Sequence, residues 1–448
     1  MVAATSPALP PGPKGLPILG NALDLSRETL GFLTRCGREY GDLVSLRFLG
    51  KPILFVNHPA LIEQVLTTHQ RALIKDIAQR TDHALIGWGL FLSEGETWRR
   101  QRRLMQPAFH RERIAAYGAT MVAKATRALD DWRADTTRDI YDDMSRLTLE
   151  IVAQTMFDAD LRPDAATIVA ALARALECLD RRVRGPQLFL PEGLPTPNNL
   201  RMRRARRAID RIVYRIIRER RASVVERDDL LGLLLGGGAD DTSVLAERQV
   251  RDEVMTILVG GYETAADLLA WTWYLLAQHP ASEARFLAEI DEVLGGRPPQ
   301  AADLARLPYT GMIVSEVLRL YPPAPALGRE VTSPFDLGGY RVARGTDVLI
   351  SQWVAHRDPR YFAEPNRFWP ERWEDDLARQ LPRYAYFPFG GGPRLCIGHA
   401  FATMEATLLL ATIGQRFRLE LPPGPPVAMA MIPTLRPQGG LRMICRAR

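Results

Sequence analysis

The chain has 448 residues, 46% of them hydrophobic and 25% charged, a composition that excludes disordered, collagen-like and coiled-coil proteins and implies a sizeable packed core. Lysine and arginine outnumber aspartate and glutamate by 58 to 52, and a net charge of +6 is too modest at this length to argue for nucleic acid as a partner. Four cysteines, Cys36, Cys178, Cys396 and Cys445, lie too far apart for the disulfide framework of a small secreted protein, so a reducing compartment, the cytoplasm, is expected.

Near the N-terminus the chain reads ALPPGPKGLP, with no basic region leading into an apolar run. Neither a signal peptide nor a membrane anchor is expected, and residues 1–14 read as a flexible lead. LVSLRF (43–48) and PILFV (52–56) flank Gly50-Lys51 and predict a β-hairpin. From about 59 to 290 apolar residues recur at helical spacing. In IDRIVYRIIRERR (209–221), for example, Ile209, Ile212, Val213, Ile216 and Ile217 share one stripe. The Pro-rich stretch 186–199 predicts a loop between two helices, and 232–241 a second break. The Arg-rich 201–211 reads as a solvated helix face, a lipid contact or a cover over a substrate entrance.

A long helix is predicted over about 246–278, and its most apolar run, 268–277, is too short to span a bilayer. Within it, VGGYETAA (259–266) places two glycines mid-helix, each costing ~1 kcal/mol relative to alanine, and a Thr264 able to bond back to the preceding turn. A local distortion is predicted there. Glu316 and Arg319 stand at i, i+3 on a helix ended by Pro322-Pro323. A second β-rich patch starts at FDLGGYRV (335–342), with Gly338-Gly339 as its turn, and continues through 347–351. Strands at both ends with helices between them predict one α+β domain over 1–448 whose first and last thirds meet.

The sharpest chemical signal is FPFGGGPRLCIGHAFATME (387–405), a glycine-rich loop, then Cys396, then a helical segment. A thiolate at a helix start is favoured by unpaired amide donors and the helix dipole, which suits an electron-rich metal ligand. The same loop also suits a buried, inert cysteine in a tight turn. Zinc and c-type haem motifs fail for want of a second cysteine, the glycines do not continue as a phosphate loop, and neither GxSxG nor HExxH occurs.

Phe389, Gly392, Arg394, Cys396 and Gly398 match F-x-x-G-x-R-x-C-x-G, and the chain thereby resembles the cytochrome P-450 family. Other segments resemble it in family order: WRRQR (98–102), VGGYETAA, Glu316-x-x-Arg319, and Pro370-Glu371-Arg372-Trp373 with tryptophan in place of the usual phenylalanine. The resemblance implies a mainly α fold with a small β region and haem b between the central helix and the helix after the cysteine loop. It implies Cys396 as the axial iron ligand, with Phe389, Gly392 and Gly398 of its loop also binding the cofactor. Trp98, Arg102, Arg329 and Arg394 would hold the haem propionates, since guanidinium forks match carboxylates. Glu263 and Thr264 would relay protons on the distal side, and Glu316, Arg319 and Arg372 would form a buried structural network.

The implied activity is a monooxygenase that inserts one atom of dioxygen into a lipophilic small molecule, a terpenoid, fatty acid or other natural product. Residues 86–91, 259–264 and 324–327 are expected to line its chamber. No G-x-G-x-x-G and no clustered cysteines occur, so NAD(P)H electrons are expected from a separate ferredoxin or flavodoxin and its reductase. Arg99, Arg100 and Arg103 are expected to make a basic patch suited to such an acidic partner, with the enzyme itself a monomer. Two rivals follow from the same cofactor: a haem-thiolate isomerase, lyase or peroxygenase needing no reductase electrons, and a non-catalytic haem sensor.

Overall fold

The computed structural model describes residues 9–225, 227–236 and 245–448. By the density of its contacts the chain forms two units, one from Met1–Arg80 with Leu318–Cys396, the other from Thr81–Val317 with Ile397–Arg448.

The first unit is built on a five-stranded sheet in the order Leu43–Phe48, Lys51–Val56, Asp347–Ile350, Leu327–Val331, Leu73–Lys75. Only the pairing of Lys51–Val56 with Asp347–Ile350 is parallel. The first hairpin forms where the sequence predicts it, with the turn one residue earlier. Leu49 and Gly50 both take positive φ (50° and 82°), and Lys51 is already paired with Phe48. Two positive φ values give the turn a twist that matches the strands it joins. Lys51 is thereby released to meet Glu330 at 3.0 Å and Asp347 at 2.8 Å.

The sheet is buried on both faces. Leu54 and Val56 pack with Ile62, Val331, Val348 and Ile350, while Phe55 points the other way among Phe32, Leu33, Val44 and Leu46. The Gly338-Gly339 turn forms as predicted, with φ of 56° and 83°. Asp347–Ile350, however, leaves that patch and joins the hairpin sheet, the way the first and last thirds meet within this unit. The N-terminal lead is not free along its length: Pro10 is buried, and the Ser45 amide donates to the Pro11 carbonyl at 2.9 Å.

In the second unit the central helix Glu247–Gln278 is buried along most of its length, which its near-continuous apolar sequence requires. The helices Ile140–Phe157, Pro197–Ala222 and His399–Gly414 pack around it. The distortion predicted at Gly260-Gly261 does not interrupt this helix, although Thr264 Oγ1 does donate to the Gly260 carbonyl at 2.8 Å. Pro197 is not a breaker here. It sits in the first turn of its helix, where its missing amide costs nothing, behind the N-cap Thr196. The buried residues of that helix include Ile209, Ile212, Val213, Ile216 and Ile217, the predicted stripe. Of the second predicted break, Leu230–Gly236 is helical and residues 237–241 lie outside the described residues. The last strands belong to this unit: Arg442–Ala447 pairs with Thr137–Asp139 and Phe417–Glu420, and Met429–Ile432 pairs with Thr434–Pro437.

Charged residues near the start of the central helix hold the segment 85–90. Arg251, 1% exposed, donates to the Leu85 carbonyl at 2.8 Å and to Asp210 at 2.7 Å, and also bonds Asp252 at 2.9 Å. Asp252 accepts the Trp88 amide at 3.0 Å and Glu253 the Leu90 amide at 2.8 Å. Gly87, at φ +71°, leaves room for the Asp252 carboxylate, which a Cβ would overlap at 2.0 Å. Replacing Asp252 with alanine strands a buried guanidinium and an amide. The expected cost is about 3 kcal/mol, read as a fall in melting temperature, with Asp210 keeping the loss at the lower end for a broken buried pair.

Candidate functional site

In the first unit the cysteine loop is a turn whose hydrogen bonds close on itself and on its immediate supports. The Phe387 amide donates to His356 Nε2 at 2.9 Å, Gly390 to the Phe387 carbonyl at 2.9 Å, and Leu395 to the Gly392 carbonyl at 3.1 Å. The amide of Cys396 itself donates to the Phe389 carbonyl at 3.0 Å, which fixes where the sulfur leaves the backbone. Gly392 has φ +62°, and its amide donates to the Tyr384 hydroxyl at 3.0 Å. A Cβ there would lie 2.0 Å from the Leu66 carbonyl oxygen, and one at Gly391 would lie 2.1 Å from the Tyr384 ring. Both glycines are demanded by protein neighbours.

Cys396 is the exposed cysteine; Cys36, Cys178 and Cys445 are buried. Burial pushes the Cys178 thiol up and those of Cys36 and Cys445 to about 11, so these three stay protonated and inert. The exposure of Cys396 does not match a buried cysteine. A soft, exposed sulfur donor at the end of a rigid turn fits the iron of a haem.

Behind the loop stands a brace. Arg319, fully buried, donates to the carbonyls of His356 at 2.9 Å, Pro365 at 2.6 Å and Arg367 at 3.1 Å, and lies over the Phe362 ring. Arg372 donates to Ala363 at 2.8 Å and reaches the Arg367 carbonyl at 3.4 Å. These two members of the expected network therefore converge on one carbonyl-rich segment. Glu316, on the helix Pro308–Leu320, is fully buried. His356 was not among the predicted residues. Burial, with Arg319 and Arg357 nearby, holds its imidazole well below the usual range, so it stays neutral and can accept the Phe387 amide. A lone histidine carries no spacing by which sequence could find it. Arg329 lies buried in the sheet and donates to Gln79 at 3.2 Å, while Arg394 is half-buried in the short helical turn Gly392–Arg394.

In the second unit Trp98 and Arg102 lie half-buried on the helix Gly95–Met105, and Arg99, Arg100 and Arg103 are exposed. Arg99 pairs with Glu96, which partly neutralises the predicted basic patch. Gly398 precedes the helix His399–Gly414 with an ordinary φ of −93°, and a Cβ there would lie 3.8 Å from Phe109. Among the described residues no contact demands that glycine.

Glu263 and Thr264 adjoin in sequence but their side chains diverge. Thr264 is half-buried and bonded within its own helix. Glu263, 2% exposed, accepts the Thr434 hydroxyl at 3.0 Å and faces Arg436 at 3.9 Å. Burial raises the Glu263 carboxyl to about 7, against the opposing pull of Arg436 and Thr434. An acid poised near neutrality suits proton transfer. Thr434 and Arg436 escaped sequence reasoning because they reach the helix from a strand some 170 residues away.

An exposed sulfur on a held turn in the first unit and a buried acid near neutrality on the central helix of the second are features that a haem-thiolate oxygenase would use. The model of the family Cytochrome P450 matches residues 10–443, and the chain belongs to the cytochrome P450 family. It is 39% identical over 444 residues to cyclooctatin synthase of Streptomyces melanosporofaciens, and 40% identical over 446 residues to that organism's cyclooctat-9-en-7-ol 5-monooxygenase. Each of these alignments spans 97% of this chain and 95% of the relative. It is also 35% identical over 442 residues, 97% of both chains, to pentalenene oxygenase of Streptomyces avermitilis. The protein is accordingly a haem monooxygenase of a lipophilic small molecule, using dioxygen and NAD(P)H electrons delivered by redox partners. Among the described residues no helix is long and apolar enough to cross a membrane.

Gly392→Ala is expected to disrupt the loop itself, lowering the melting temperature and cutting haem content several-fold relative to wild type. Gly398→Ala is expected to keep the wild-type melting temperature of the haem-free protein and to weaken only haem retention. Differential scanning calorimetry and haem quantitation separate the two.

Proposed function

We propose that the protein hydroxylates a cyclic terpenoid, with Cys396 as the axial ligand of haem b. The observation that carries the reaction class is the exposure of Cys396 on a turn whose amides and glycines are already committed to holding it. The terpenoid class is supported by two relatives, named for oxygenating cyclooctat-9-en-7-ol and pentalenene, that match nearly the full chain. The family model runs through both units, which supports a single catalytic domain.

When bound, a thiolate-ligated haem supplies the power to cleave dioxygen and oxidise unactivated C–H bonds. The protein's part is to hold, orient and deliver protons. In this reading Trp98, Arg102, Arg329 and Arg394 fix the propionates, each guanidinium offering paired donors to a carboxylate. Residues 86–91, 259–264 and 324–327 line the chamber, and Arg251, Asp252 and Glu253 keep the first of these segments in place. Glu263 holds a proton at its carboxyl near neutral pH and delivers it to the Thr264 hydroxyl by turning from Thr434 toward the side on which Thr264 is held by the Gly260 carbonyl. The enzyme works as a cytoplasmic monomer fed by a ferredoxin or flavodoxin and its reductase, with Arg99, Arg100 and Arg103 suited to the acidic surface of such a carrier.

Purified holoenzyme supplied with a ferredoxin, its reductase, NADPH and labelled dioxygen is expected to place one labelled oxygen in a cyclic terpene or terpene alcohol. Product formation at full rate without the reductase would contradict this and favour a peroxygenase or isomerase. Thr264→Ala is expected to keep haem while product per NADPH falls several-fold and peroxide rises. An unchanged ratio would remove Thr264 from the relay.

A further inference from the structure

Asp267 lies one helical turn beyond Glu263, so the two carboxyls share a face of the central helix, and both are buried, Asp267 at 0% and Glu263 at 2% exposure. Neither Asp267 oxygen makes a well-formed hydrogen bond. The groups facing the pair come from three elements: Tyr262 from the same helix, Tyr141 from Ile140–Phe157, and Thr434 and Arg436 from Thr434–Pro437. Among the described residues Arg436 is the cation that faces them.

Charge counting limits this cluster. Burial and the two acids push Tyr141 and Tyr262 upward, so both phenols stay neutral. Two carboxylates against one guanidinium would leave a net buried negative charge, which is costly without a partner. One carboxylate and one carboxylic acid leave none. Burial and the neighbouring Glu263 drive the Asp267 carboxyl well above the usual range, while Glu263 sits near 7.

We propose that Asp267 is a positioning residue for Glu263: the two carboxyls hold a single proton between them against Arg436, and Asp267 keeps Glu263 supplied. The step is balanced. Asp267 gives its proton to the Thr434 hydroxyl as that hydroxyl passes its own to the Glu263 carboxylate, and Asp267 becomes the carboxylate, so the cluster has the same charge before and after and Arg436 faces an anion in either arrangement. The supply role rests on the reading of Glu263 as the relay acid; the sharing of one proton does not. The two ionisations belong to the pair rather than to either residue.

The test compares holoenzyme variants by infrared difference spectroscopy, counting protonated carboxyls by their shift in deuterium oxide. At pH 8, wild type minus Asp267→Asn and wild type minus Glu263→Gln are each expected to show the loss of one protonated carboxyl, because the acid left behind ionises against Arg436. Arg436→Met is expected to show the gain of one. A protonated carboxyl retained in Glu263→Gln would mean that Asp267 is simply a neutral buried acid and would overturn the sharing. In turnover, Asp267→Asn is expected to keep wild-type coupling below pH 7 and lose it several-fold above, where Glu263 ionises without a reserve, while wild type holds its ratio. A uniform loss at all pH values would mark a merely structural role and overturn the supply. If the spectra show sharing but Glu263→Gln couples normally, the relay reading fails and the shared proton stands.

Discussion

A sulfur ligand works only if it is both accessible and immobile, and the backbone from 387 to 396 reconciles those demands. Accessibility removes the packing that would normally hold a side chain still, so the restraint comes from the main chain. The Cys396 amide is tied to Phe389, the Gly392 amide to Tyr384, and the entry at Phe387 to a neutral His356. Arg319 extends the restraint by binding the carbonyl of that same histidine. A buried guanidinium that bonds three carbonyls cannot shift without leaving several polar groups unsatisfied. The exposed atom is therefore positioned by buried ones.

Buried charge is used in three different ways. Arg319 and Arg372 tie down carbonyls and serve rigidity. Arg251 and Asp252 join the central helix to the segment 85–90 and to Asp210, so the wall of the proposed chamber is held by polar bonds rather than by apolar packing alone. Glu263, Asp267 and Arg436 form a set with more acid than base, the arrangement that keeps a proton in a dry interior. The first two are structural costs met by pairing, while the third sets one guanidinium against two acids.

What the sequence disclosed is local. Gly338-Gly339 announced its turn because only glycine takes two consecutive positive φ values easily, and 247–278 announced its helix through length and apolarity. The cysteine loop was legible through the short fixed spacing of its residue types, although what demands Gly392 is the Leu66 carbonyl, far away in sequence. Long-range pairings were not. Nothing in DVLI says that Asp347–Ile350 will lie parallel to Lys51–Val56 rather than extend the hairpin beside it in sequence. Nothing in TLRP says that Thr434 and Arg436 will meet Glu263. The lead looked mobile because its prolines lack amide donors, yet its pinning uses the Pro11 carbonyl, which composition does not weigh. Gly398 is the exception: it stands in the motif, but among the described residues no close contact calls for a glycine there.

The central claim is the bond between the Cys396 sulfur and haem iron, and the ferrous–carbonyl spectrum reads it directly. The wild-type holoenzyme should give the red-shifted Soret band diagnostic of thiolate trans to carbon monoxide, and Cys396→His should move that band to the position typical of imidazole while retaining haem. A wild-type spectrum of the imidazole kind, or a thiolate band that survives the substitution, would contradict the account.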